Sequence, residues 1–70
     1  MGPNERFAAN LRARRRQAGL SQEKLAAAAS LHRTEISLLE RAEREPRLST
    51  IVRLANGLGV PPAALLDDLA

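Results

Sequence analysis

The side chains able to do chemistry in this sequence are few, and most of them are guanidinium groups. There is one histidine, His32, and no cysteine, tyrosine or tryptophan. A thiolate nucleophile, a disulfide framework and any cysteine-bearing zinc site are therefore excluded, and a lone imidazole cannot supply a metal cluster. No glycine-rich phosphate cradle is present either, so an enzyme has no inventory to work with, and no metal or other cofactor is called for. The charges are unevenly placed: residues 1–18 carry five Arg against Glu5, residues 19–47 balance five bases against five acids, and residues 48–70 set Arg53 against Asp67 and Asp68. A polyanionic partner fits this distribution, and a merely solvated basic face fits it equally well.

The elements that must position these groups are read from the apolar pattern. Seventy residues with a formal charge of +3 make one domain, residues 1–70. Its apolar content rests on 12 Leu and 13 Ala with a single Phe, which favours closely approaching helices over strands. Breaks at Gly19, Ser30, Glu43 to Arg47, and Gly59 to Pro62 divide the chain into helical segments over residues 4–18, 21–28, 32–42, 49–58 and 61–69. The expected fold is an all-α, compact five-helix bundle.

In the first segment Asn4 is the expected N-cap, with Phe7, Ala8, Leu11 and Ala18 on one face. Ser21 caps the second, which turns Leu25, Ala26 and Ala29 inward. The third places Ile36 and Leu39 inward and Arg33, Thr34, Ser37 and Leu38 outward. The fourth buries Ile51, Leu54, Ala55 and Leu58 and stops at Gly59 with Val60 behind it. The fifth offers Leu65, Leu66 and Leu69, with Asp67 and Asp68 opposing the helix dipole and fraying its end. No apolar run approaches the roughly 20 residues of a membrane span, and no signal-peptide core opens the chain. A cytoplasmic or nucleoid-associated location is expected, with no membrane and no small-molecule substrate.

Residues 22–39 have the spacing of a helix-turn-helix. Its demands are steric: Ala26 is small where the two helices touch, Leu31 plugs the turn, and β-branched Ile36 anchors the second helix. The runs Gly19-Leu20-Ser21-Gln22-Glu23-Lys24-Leu25-Ala26, His32-Arg33-Thr34-Glu35-Ile36-Ser37 and Leu39-Glu40-Arg41 follow in order, and Leu54-Ala55 and Leu58-Gly59-Val60 come after them. Over residues 6–66 the chain resembles the lambda-repressor-like family, also called the phage repressor and Cro or xenobiotic-response-element type. It departs from the family in carrying Ser30 and Ala42 where relatives usually have glycine in a left-handed turn, and His32 where they have a Ser or Thr cap. Glu35, three residues on, is expected to cap that helix by reaching back.

The resemblance implies a sequence-specific transcriptional regulator that binds double-stranded DNA as a homodimer on a (pseudo)palindromic operator, with the helix over residues 32–42 in the major groove. Arg33, Thr34, Ser37 and Leu38 are then the base readers: a guanidinium forks to guanine O6 and N7, hydroxyls donate or accept, and a leucine packs on a thymine methyl. Gln22, Arg41, Arg44 and Arg47 fall where phosphates are contacted. Arg15 and Glu40 match the family's structural ion pair, while Arg12, Arg14 and Arg16 are read as solubility and long-range attraction. A weak dimer is expected through the leucines of the fifth helix and parts of the fourth. Two alternatives remain open: a protein-interaction module such as an antitoxin or adaptor, and a controller protein of a restriction-modification system.

Overall fold

The computed structural model describes residues 1–69. It contains four α-helices, α1 (Pro3–Gln17), α2 (Gln22–Ala29), α3 (Arg33–Glu40) and α4 (Leu48–Leu58), followed by one 3-10 turn, Pro62–Leu65.

Helix α1 starts one residue before its expected boundary. Proline at N1 has no N–H to satisfy and its φ is already helical, so Gly2 becomes the N-cap and Asn4 lies inside the first turn. Glu5 reaches back to accept the Gly2 N–H at 2.9 Å. Phe7, Ala8 and Leu11 are buried as expected, whereas Ala18 is exposed because the helix has ended and the chain turns at Gly19. Helix α2 opens with the Ser21 hydroxyl accepting the Lys24 N–H at 3.0 Å.

All four helices close with the same pair of bonds. A residue in the left-handed region donates to the carbonyl three back, and its successor donates to the carbonyl five back, which satisfies the last carbonyls of the helix. The two donors are Gly19 and Leu20 after α1, Ser30 and Leu31 after α2, Ala42 and Glu43 after α3, and Gly59 and Val60 after α4. Glycine takes this backbone freely, but Ser30 and Ala42 hold φ of +57° with a Cβ in place.

The fifth helix expected over residues 61–69 is instead the single 3-10 turn. Asn10 of α1 donates its amide to the Leu65 and Asp67 carbonyls at 3.1 and 2.8 Å, so these acceptors are satisfied from outside rather than by a continuing helix. Leu65 is fully buried and Leu69 packs against the core, while Leu66 is exposed.

The large side chains of the core are Phe7, Leu11, Leu25, Ile36, Leu39, Leu54 and Leu65, with Ala26, Ala29 and Ala55 among them and Leu20, Leu31, Ile51, Leu58 and Val60 packed around. Helix α2 lies between α3 and α4, and α1 packs on α3 and on the C-terminal turn. Gly57 lets α4 approach α2 directly, since a Cβ there would sit 3.2 Å from the Ala28 carbonyl carbon and the Ala29 nitrogen.

Replacing Ser30 or Ala42 with glycine is expected to raise stability by about 0.5–1 kcal/mol each, the relief of left-handed strain exceeding the added freedom of the unfolded chain. In urea the midpoint should rise at constant slope. An unchanged or lowered midpoint would mean that neither turn is strained.

Candidate nucleic-acid interface

Helix α3 is two turns long and anchored along one side. Ile36, Leu39 and Glu40 are buried, so the remaining side chains must project. Arg33 and Thr34 are exposed at its N-terminal end, with Ser37 and Leu38 half-buried one turn further on. These four expected readers thus form one continuous outer face. The chain then leaves through Ala42 and carries Arg41, Arg44 and Arg47, all exposed, along the segment to α4.

Several of these arginines already have partners. Arg33 Nε lies 3.2 Å from Glu23 Oε2 across the two helices of the motif. Arg44 Nη1 donates to Glu35 Oε1 at 2.6 Å. Arg41 donates from Nε to the Ser37 carbonyl at 3.3 Å and lies 3.5 Å from Glu43. Glu35 therefore does not cap α3 as expected, and His32 makes no side-chain cap either. A charge-assisted bond to a guanidinium is stronger than one to a peptide N–H, so the carboxylate turns toward Arg44. Arg44, Arg47 and Arg53 line an open cleft of about 570 Å³ beside His32 and the start of α4.

Behind this face is the pair expected of Arg15 and Glu40. The Glu40 carboxylate, 3% exposed, accepts Arg15 Nε at 2.6 Å and Nη2 at 3.0 Å in a two-pronged contact. Arg15 Nη1 also donates to the Leu20 carbonyl at 3.0 Å, fixing the turn between α1 and α2. The hydrogen bond that Arg15 donates to Glu40 raises the Arg15 pKa above its ordinary value, opposed in part by burial and aided by the charges of Glu40 and Glu23. A raised folded-state pKa contributes stability that is fully present below arginine's usual range and is lost only above it, so the pair is intact throughout neutral pH.

Two further contacts at Glu40 were missed in the sequence. Gln22 Nε2 donates to Glu40 Oε1 at 3.2 Å, and Arg12 Nη2 donates to the Glu40 main-chain carbonyl at 2.7 Å. Arg12 thus holds the end of α3 and is not only a solvated charge. Its placement one turn before Arg15 on α1 is the signal that could have found it. Gln22 keeps a second amide hydrogen, available to an anion at the N-terminus of α2.

A helix held from behind by a buried ion pair, with a polar face projecting beyond a tight turn from a supporting helix, defines a helix-turn-helix domain. The helix-turn-helix family model matches residues 11–65. Control protein C.SmaI of Serratia marcescens is 44% identical over 66 residues, 94% of this chain and 79% of that protein. Control protein C.BamHI of Bacillus amyloliquefaciens is 47% identical over 51 residues, 73% of this chain and 63% of that protein. The crystal structure of the restriction-modification controller protein C.AhdI from Aeromonas hydrophila superposes with a TM-score of 0.86 at 37% identity, covering 89% of this chain and 94% of that one. The chain belongs to the helix-turn-helix family of DNA-binding transcriptional regulators.

Glu40→Ala is expected to destabilise the fold by about 1.5–3 kcal/mol, because it removes the charged acceptor of the part-buried Arg15 guanidinium and of Gln22 and leaves Arg15 with the Leu20 carbonyl alone. Urea unfolding measures this directly. A loss below about 1 kcal/mol would show that the pair behaves as an exposed one.

Proposed function

We propose that this chain reads a (pseudo)palindromic operator as a homodimer, inserting α3 of each copy into successive major grooves about 34 Å apart. The observation that carries the reading is the outer face of α3. Arg33, Thr34, Ser37 and Leu38 present a forked donor, two hydroxyls and an apolar group in two adjacent turns, and the opposite side is rigidly buried. Arg33 pairs with a guanine, the hydroxyls serve neighbouring edges, and Leu38 meets a thymine methyl. Gln22 at the N-terminus of α2, with Arg41, Arg44 and Arg47, holds the flanking phosphates and fixes the register.

A domain this small makes few contacts alone, and pairing two copies supplies the missing affinity. Leu48 and Val52 of α4 and Leu66 beyond it are the large apolar side chains left exposed toward the C-terminal half. They are the surface for a weak dimer that DNA strengthens. This differs from a face built on a fifth helix, since Leu65 is spent on the core. Nothing in this reading requires catalysis or a cofactor, and the cytoplasm or nucleoid is the compartment where it acts. Among the described residues no helix is long and apolar enough to cross a membrane.

The relatives favour a narrower form of the same reading. C.SmaI and C.BamHI are control proteins and C.AhdI is a restriction-modification controller. A controller of that kind would be encoded beside a methylase and an endonuclease, and a neighbourhood lacking both would leave the general regulator alone.

Selection of bound duplexes from a random library is expected to enrich an inverted repeat with wild type and to lose a guanine preference with Arg33→Ala. Salt-sensitive binding without enrichment would favour a protein-interaction module such as an antitoxin or adaptor. In the same format Arg47→Ala is expected to weaken binding to all sequences alike and to reduce the slope of log affinity against log salt by about one.

A further inference from the structure

We propose that Glu23 is a positioning residue for Arg33, holding the guanidinium so that its terminal edge faces a guanine. The inference rests on the reading of α3 as the groove-entering helix. Glu23 lies in the first turn of α2 and Arg33 is the first residue of α3, so their contact bridges the two helices of the motif beyond the turn at Ser30. The side chains are 67% and 58% exposed, and a pair so exposed contributes little to the fold.

Its consequence is geometric. A guanidinium can fork to guanine through Nη1 and Nη2, or sideways through Nε and one Nη. Glu23 Oε2 lies 3.2 Å from Nε as an ion-pair contact, so a carboxylate stands beside the Nε edge and the terminal fork is the edge that meets O6 and N7 without it. An unsupported arginine of this length also reaches a phosphate as readily as a base. A carboxylate beside it repels phosphate, so the charge of Arg33 is directed to the base edge and withheld from sequence-blind contacts. Exclusion of water from the groove strengthens the hold as the complex forms. Glu23 thus lowers affinity for DNA in general and raises discrimination at one position.

The test uses the duplexes selected by the wild-type chain, with all four base pairs placed in turn at the position whose preference Arg33→Ala abolishes. Glu23→Ala is expected to lower the guanine preference about tenfold while random-sequence duplex is bound as tightly as before or more so. Glu23→Gln keeps an acceptor at the same reach and is expected to restore part of the preference. In an Arg33→Ala background, Glu23→Ala is expected to leave base preference unchanged. A uniform change over all four base pairs, or the same change without Arg33, would reduce Glu23 to a long-range charge and overturn the proposal while leaving Arg33 as the reader. If Arg33→Ala abolishes no base preference at all, both the positioning role and the reading of α3 fall together.

Discussion

The Glu40 carboxylate is the one buried acid among the described residues, and the arrangement of three helices follows from satisfying it. Desolvating a carboxylate costs several kcal/mol unless its lone pairs are filled with good geometry. Here both oxygens are taken by Arg15 of α1, one is shared with Gln22 of α2, and the main-chain carbonyl of the same residue is held by Arg12. Apolar packing alone would let α3 slide or rotate against α1 at small cost. A directional contact of this kind permits one register. The buried pair is weak evidence for net stability, but it converts a helix two turns long into a fixed projection, which is what reading base edges requires.

Much of this was legible because it follows from periodicity and caps. The inward sets Leu25, Ala26 and Ala29, then Ile36 and Leu39, then Leu54 and Ala55, lie where a 3.6-residue repeat puts them, and Gly59 ends α4 as its backbone freedom predicts. The Arg15–Glu40 pair was legible only through resemblance, since partners 25 residues apart leave no local trace. What failed was competitive or long-range. Asn10 binds the Leu65 and Asp67 carbonyls and ties the tail to α1 as a turn, and Arg44 takes the carboxylate that would have capped α3. Gly57 reads as a mild helix defect in sequence, and only the closeness of α2 shows why a side chain is absent there.

The arginines of the interface are pre-paired, and this bears on how the protein balances affinity against selectivity. Arg33, Arg41 and Arg44 each have a carboxylate within 4 Å in the free protein, namely Glu23, Glu43 and Glu35. Residues 19–47 are accordingly neutral in sum, although they contain every proposed DNA contact. Arg47 is the exception, with no acidic partner among the described residues, as are Arg6, Arg14, Arg16 and Arg53 elsewhere. A phosphate must compete with a tethered carboxylate for each paired guanidinium, so the counterion-release gain per contact is smaller than for a free side chain.

The long-range field is then left largely to α1, where five Arg stand against one Glu before residue 19 and two of the five, Arg12 and Arg15, are committed to Glu40. In the proposed reading, attraction and discrimination are thus assigned to different parts of one small domain. Unpaired charges on α1 act over roughly a Debye length to bring the chain to DNA, Arg33 keeps its Glu23 partner at the base edge, and the paired Arg41 and Arg44 release their carboxylates only where geometry offers a better partner. A regulator facing a large excess of non-specific sites gains from that division, because selectivity is set by the ratio of the two affinities and lowering the sequence-blind one raises it as surely as adding a contact to the operator.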